Sequence, residues 1–239
     1  MKKRKILCVL AMTTLLLTAC GNAESQETST QAESVTMEDT SEEVETDTTE
    51  TVGENTGSNI LVAYFSYGEN ADLPEGVDAS SSASIQTWNN EITGNTGVIA
   101  HMIGDASGAD MFSIQTVAKY PSDYNGTINQ GEEEKDENVR PELASHIENI
   151  EQYDTIFLGF PTWWYDMPMA MYSFLDEYDL SGKTIIMFCT SGGSGFLDAV
   201  EQTQAAEPEA TVIEGLSIGA SSATGAEEQV TAWLQEIGY

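Results

Sequence analysis

The chain has 239 residues, 40% hydrophobic and 20% charged, which suits one medium-sized globular domain rather than two. Eight Lys and Arg stand against 40 Asp and Glu, a formal net charge of −32. That balance argues against nucleic acid as a partner, because binding there is driven by cations displacing condensed counterions, and it disfavours an anionic membrane surface.

The charge is unevenly spread. Lys2, Lys3, Arg4 and Lys5 precede an apolar run from Ile6 to Leu17 that is too short to span a bilayer as a helix, and Thr18, Ala19 and Cys20 follow. This is the layout of an export signal. Leu17-Thr18-Ala19-Cys20 resembles the bacterial lipobox. Residues 1–19 are therefore expected to be removed and Cys20 to be lipidated, which would anchor the chain on the extracytoplasmic face of the cell membrane.

Residues 1–19 hold four of the eight bases and no acid, so the mature chain carries −36. From Gly21 to Asn59 there are 11 acids and no basic or aromatic residue. Such a segment buries too little apolar surface to offset its ordering entropy, so 20–59 reads as a disordered acidic tether. As a flexible chain it would reach roughly 35 Å root-mean-square, and self-repulsion would extend it.

Residues 60–239 form the expected functional domain, with a formal charge of −25. Its one cysteine, Cys189, excludes an intrachain disulfide or a CxxC cluster, and the two histidines, His101 and His146, exclude a His-rich metal site. Ile60 to Ser66 is a continuous apolar run of strand length, as in a parallel strand covered on both faces. Similar runs recur at Asp110 to Val117, Thr155 to Phe160 and Thr184 to Thr190, with a weaker one at Thr211 to Ile218. Helical spacing links Val98, Ile99, Met102 and Ile103, then Leu143, Ile147 and Ile150. It returns at Met171, Phe174, Leu175 and Tyr178 and at Val230, Trp233, Leu234 and Ile237, with another helix expected over Phe196 to Ala206. The alternation predicts an α/β domain, a doubly wound parallel sheet with helices on both faces. Its chemistry belongs at the carboxyl ends of the strands.

Three loops meet that condition. Thr93-Gly94-Asn95-Thr96-Gly97 precedes the first long helix, where backbone N–H groups and the helix dipole favour an anion, although Asn and Thr also serve as plain helix caps. The third strand runs into Pro161, Thr162, Trp163, Trp164 and Tyr165. Paired tryptophans are often core anchors, but proline brackets in a loop argue against routine burial here. The fourth strand runs into Ser191, Gly192, Gly193, Ser194 and Gly195, where the main chain can approach a flat ligand; a bland glycine turn is the competing reading. A serine-hydrolase elbow at Ser194 is excluded because Phe196 stands where G-x-S-x-G needs its last glycine. His101 and His146 read as helix-face residues rather than catalytic bases.

These runs, with Tyr153 to Pro168, Asp179 to Lys183 and Phe188 to Gly195, together resemble the flavodoxin-like FMN-binding family over nearly all of Ile60 to Ile218. The resemblance implies a five-stranded parallel sheet of order 2-1-3-4-5. It assigns the FMN phosphate to Ser66, Thr93, Gly94, Asn95 and Thr96. The isoalloxazine ring would lie between Pro161, Thr162, Trp163, Trp164 and Tyr165 on one side and Ser191, Gly192, Gly193 and Gly195 on the other. No side chain need then act as acid or base, because the flavin performs the electron chemistry.

Two departures stand out. In the family the strand-one Ser and the Thr-Gly-Asn-Thr lie almost adjacent, whereas residues 67–92 intervene here, and Gly97 replaces a basic or polar residue. Within the insertion, Asp78 to Ser84 faintly resembles a motif for covalent FMN attachment, with Ser84 as acceptor; by composition it is a small polar loop. The expected function is electron transfer or FMN-dependent reduction outside the cytoplasmic membrane. The alternative is a non-catalytic module that holds a flavin or a partner on the same fold. The redox partner and oligomeric state are not specified by these residues.

Overall fold

The computed structural model describes residues 59–74 and 84–239, so the expected export signal, Cys20, the expected tether as far as residue 58 and Asp78–Ala83 lie outside them. The expected apolar runs become parallel strands: β1 (Ile60–Tyr64), β4 (Asp110–Ser113), β5 (Thr155–Pro161), β6 (Thr184–Ser191) and β7 (Thr211–Gly219). They form one five-stranded sheet of order β4-β1-β5-β6-β7, which is the expected 2-1-3-4-5 pattern. The helices are α1 (Tyr67–Asn70), α2 (Asn95–Ser107), α3 (Tyr124–Asp136), α4 (Met169–Glu177), α5 (Ala199–Ala206) and α6 (Glu227–Ile237). A two-stranded antiparallel hairpin, β2 (Ile85–Trp88) and β3 (Glu91–Gly94), completes the set.

Strict alternation along the central strands builds two cores. Leu61, Ala63 and Phe65 pack with Ile156, Leu158 and Phe160 and with Met171 and Phe174 of α4 on one face. Val62, Tyr64 and Phe157 pack with Ile99 and Ile103 of α2 and Val230 and Leu234 of α6 on the other. Each large side chain buried in this way contributes about 1.5–3 kcal/mol. Gly159 faces Phe188 across β5 and β6, where a Cβ would overlap the Phe188 ring.

The edge strand β7 departs from alternation. Its register slips between Met187 and Phe188, which pair with Glu214 and Leu216, so Gly215 is an extra residue. A one-residue bulge sends the side chains beyond it to the opposite face. Val212 accordingly packs in the first core, whereas Leu216 and Ile218, which share its parity, pack in the second. A Cβ on Gly215 would come within 2.5 Å of the Met187 carbonyl oxygen and 2.8 Å of Trp233.

The helix predicted around Leu143, Ile147 and Ile150 is absent. Leu143 makes an antiparallel bridge to Thr116, and only Ile150–Gln152 forms a 3-10 turn. The apolar spacing is still used, since Leu143 and Ile150 are buried and Ile147 packs against the core, but along a non-helical path. His146 therefore does not lie on a helix; its Nδ1 sits 2.7 Å from Glu177 Oε1. The helix that does form in this region is α3, polar and with two glycines, its start capped by Asp123 Oδ1, which accepts from the Gly126 N–H at 2.9 Å. The second parallel strand ends at Ser113 rather than Val117, and α5 begins at Ala199 rather than Phe196.

The described part of the 67–92 insertion is built as α1 and most of the β2–β3 hairpin, whose turn residues Asn89 and Asn90 have φ of 49° and 69°. Asparagine tolerates this left-handed region, and such a pair fits a tight hairpin. The hairpin lies over α2, with the Trp88 ring stacked on His101 at 5.6 Å and 3° between planes.

Candidate functional site

The candidate site lies at the carboxyl edge of the sheet, where the three expected loops meet. Helix α2 begins after Gly94, which has no side chain to cap it, so Asn95 and Thr96 are first-turn residues rather than caps. Their side chains tie the helix start to its surroundings. Gln86 Nε2 donates to Asn95 Oδ1 at 2.9 Å, and the Thr96 and Thr190 hydroxyls lie 2.7 Å apart at the ends of α2 and β6.

Ser66 and Thr93 are brought together despite their separation in sequence, with Ser66 Oγ 3.3 Å from Thr93 Oγ1 and both residues buried. Thr93 lies in β3 rather than in an open loop. Its hydroxyl donates to Glu69 Oε1, and Glu69 Oε2 accepts from Ser113 Oγ and, at 3.3 Å, from the Tyr64 hydroxyl. Burial, and then Glu69, hold the Tyr64 phenol well above its ordinary pKa. The sequence reading missed Glu69, because it lies inside the insertion.

The strand-three loop makes a two-residue hairpin turn. The Trp163 and Asp166 backbones exchange hydrogen bonds of 2.8 and 2.9 Å around Trp164 and Tyr165, whose φ values are 49° and 66°. Such a turn favours Asn and Gly, and bulky residues there hold about 1–3 kcal/mol of strain each. Asp166 anchors the turn by accepting from the Met167 N–H at 2.8 Å and the Tyr172 hydroxyl at 3.1 Å. Lys135 Nζ donates to the Trp164 carbonyl at 2.5 Å. Trp163 packs inward against the core, edge-on to Phe65 and Tyr120, so the proline brackets do not keep it out of apolar packing. Trp164 donates Nε1–H to the Ile128 carbonyl at 3.0 Å, while Tyr165 is 73% exposed.

In the glycine turn after β6, Ser191 Oγ accepts from the N–H groups of Gly193 and Gly195 at 3.2 and 3.0 Å. Gly193 and Gly195 have φ of 125° and 68°, which favour glycine. No atom lies within 4 Å of a Cβ built on Gly192 or Gly193. Thr162 Oγ1 donates to the Gly195 carbonyl at 2.7 Å, which fastens this turn to the aromatic one.

A cavity of about 500 Å³ opens between these turns. Thr162, Trp163, Trp164 and Tyr165 wall one side, and Ser194 and Leu197 line it from the glycine turn. Ser84 of the insertion also lines it, and Tyr67, Tyr124 and Ile128 contribute from α1 and α3, which sequence reasoning did not place here. Among the described residues no charged side chain lines the cavity. The domain's four bases are each engaged by protein groups: Lys119 by the Glu69 carbonyl, Lys135 by the Trp164 carbonyl, Arg140 by Asp176 and Lys183 by the Tyr153 carbonyl. Among the described residues there is no group of three or more His, Cys, Asp or Glu able to hold a metal ion.

A size of this order suits a small planar ligand, and aromatic walls without charge suit a ring system. The family model described as Flavodoxin matches residues 88–237. The chain belongs to the flavodoxin family. Two solved structures agree with this flavodoxin fold. A protein assigned as a flavoprotein from Bacteroides eggerthii DSM 20697 is 27% identical over 75% of this chain and 98% of its own, with a TM-score of 0.56. One similarly assigned from Bacteroides uniformis ATCC 8492 is also 27% identical, over 75% of this chain and 99% of its own, with a TM-score of 0.56. A Lactobacillus acidophilus NCFM flavoprotein, solved in complex with FMN, is 19% identical over 73% of this chain and 97% of its own, with a TM-score of 0.47. No curated protein matches this flavodoxin-family chain.

Proposed function

We propose that this chain is an FMN-binding electron carrier or FMN-dependent reductase, held on the extracytoplasmic face of the bacterial membrane by lipid at Cys20. The observation that carries the flavin reading is the aromatic-walled cavity between the Thr162–Tyr165 turn and the glycine turn, lined by no charged side chain among the described residues. The ring end of FMN fits this lining. The buried hydroxyls of Ser66, Thr93 and Thr96 fit its phosphate, with Glu69 as a rival acceptor for Thr93. When bound, FMN supplies one- and two-electron chemistry, and the protein sets its position and potential. Trp164 and Tyr165 orient the ring and keep water from one side, while the turn from Ser191 to Gly195 limits access from the other.

The purified full chain, incubated with FMN and desalted, is expected to retain flavin absorbance; a colourless protein refutes the cofactor. The same spectrum after denaturation reports whether any flavin is attached at Ser84. Anchoring is tested separately: Cys20→Ala should move the chain from the membrane fraction to the soluble one.

One observation favours the alternative, a module that holds flavin without turnover: Ser191 Oγ already occupies the N–H groups of Gly193 and Gly195. Reduction of a quinone by the FMN-loaded chain with a suitable electron donor would exclude it.

A further inference from the structure

The phosphate end of the site carries a residue that the family resemblance does not account for. Helix α1 follows Ser66 directly, and Gly68 lets it lie against β3, because a Cβ there would overlap the Thr93 carbonyl. Asn70 locks the helix in place. Its Nδ2 donates to the carbonyls of Ser66 at 3.1 Å and Ile114 at 3.0 Å, and its Oδ1 accepts from the Thr116 N–H at 2.8 Å. Tyr120 adds a backbone hydrogen bond of 2.8 Å to the Asn70 carbonyl. The Glu69 side chain is thereby held among hydroxyls, accepting from Thr93, Ser113 and Tyr64.

The geometry around Gly97 sharpens this placement. A Cβ there would stand 2.9 Å from Glu69 Oε1 and 3.1 Å from Ser66 Oγ, and would overlap Thr93 Oγ1. The absence of a side chain at the first turn of α2 is therefore what lets the carboxylate and the two hydroxyls converge beside the helix start. A carboxylate is an anion with oxygen acceptors, as a phosphate monoester is, and it uses the same donors. The nearest base, Lys119, directs its ammonium to the Glu69 backbone carbonyl at 2.9 Å and to Gln115 Oε1 at 3.1 Å.

We infer that Glu69 is a resident anion in the phosphate half of the site and sets the choice between phosphorylated and unphosphorylated flavins. This rests on the flavin reading above. A flavin phosphate reaches Thr93 only by displacing the carboxylate or by accepting its repulsion at close range, and the neighbouring ammonium of Lys119 is already held by the Glu69 carbonyl and Gln115. Riboflavin, which shares the ring but ends in a hydroxyl, meets no such repulsion. The phosphate should therefore add little to affinity in this chain, and Glu69 should be the reason.

The test compares FMN and riboflavin binding to the full chain, purified in detergent, by quenching of flavin fluorescence. The native chain should bind the two within about tenfold of each other, and Glu69→Gln should tighten FMN by at least about tenfold, the scale of one charge-assisted contact, with riboflavin changing less than about twofold. Glu69→Ala should move FMN in the same direction. A native preference for FMN beyond about a hundredfold overturns the inference without recourse to a variant. So does a parallel change of both ligands, or weaker FMN binding in the variants, which would make Glu69 an organiser of the hydroxyls. If neither flavin binds the native chain, the flavin reading itself falls, whereas binding of both with an unmoved ratio removes only the role of Glu69.

Discussion

The hydroxyls of Thr96 and Thr190 lie 2.7 Å apart, joining the first turn of α2 to the end of β6. Both residues are buried, so this contact couples the proposed phosphate half of the site to its proposed ring half. Thr190→Val keeps the shape and leaves the Thr96 hydroxyl without this partner, at a cost of about 1–3 kcal/mol. Urea denaturation should register that loss. FMN binding should weaken as well, and unchanged values of both would mean that the halves are positioned independently.

Tyr120 is fully buried and donates its hydroxyl to Glu134 Oε2 at 2.8 Å, while Gln130 Nε2 donates to Oε1 at the same distance. Tyr120→Phe removes one of these donors from a buried carboxylate and should destabilise the chain by about 1–3 kcal/mol. The ring that supports Trp163 remains, so FMN affinity should be little altered.

The turn at Trp164 and Tyr165 trades stability for its aromatic wall. Replacing the pair by Asn-Gly relieves the positive-φ strain and should raise stability by about 1 kcal/mol or more. It also removes two rings from the cavity, so FMN affinity should fall. A variant that gains affinity, or loses stability, contradicts this account.

Stability should decline in alkali. Burial raises the phenol pKa values of Tyr64, Tyr120 and Tyr172 above their ordinary range, pushes that of Tyr178 up to about 12 and raises the Cys189 thiol. These groups are neutral when folded and lose protons near pH 8.5–10 when unfolded. The unfolded chain therefore binds fewer protons as pH rises, and folding stability is lost from about pH 9 upward. Thermal melting between pH 8 and 11, followed with phenolate absorbance, checks this. Phenolates should appear together with unfolding rather than before it.

The formal charge of −25 on residues 60–239 also bears on the flavin potential. Adding electrons to a ligand inside an acidic domain costs Coulomb energy, so full reduction should be harder than for free FMN. A tenfold change in a one-electron equilibrium is about 60 mV, which a redox titration resolves. Added salt should shrink the shift. A potential equal to or above that of free FMN would refute the argument.

The central strands β1, β5 and β6 were legible because strands buried on both faces read as unbroken apolar runs, and the aromatic and glycine turns were legible because they follow such runs. Helix α3 was not. Its sequence has two glycines and mostly polar residues, and only Gly131 and Glu134 are buried, so no apolar stripe marks it. The segment from Leu143 to Ile150 misled for the opposite reason, since helical spacing there serves burial along an irregular path. Glu69 was hidden because its role depends on contacts between β3, β4 and α1 that local spacing does not encode. The turn residues also differ: Asn89-Asn90 suits the left-handed backbone of its hairpin, whereas Trp164-Tyr165 adopts the same backbone signs against its own preference.

The bulge at Gly215 has a thermodynamic consequence. Below it β7 supplies Val212 to the core under α4 and α5, and above it Leu216 and Ile218 to the core under α2 and α6. Peeling this edge strand away therefore breaches both cores at once, so neither layer can melt while the other stays whole. Unfolding should be all-or-none across the domain. A shortened strand, with residue 215 deleted, would turn Leu216 and Ile218 toward the wrong layer and damage that cooperativity more than a change of side chain would.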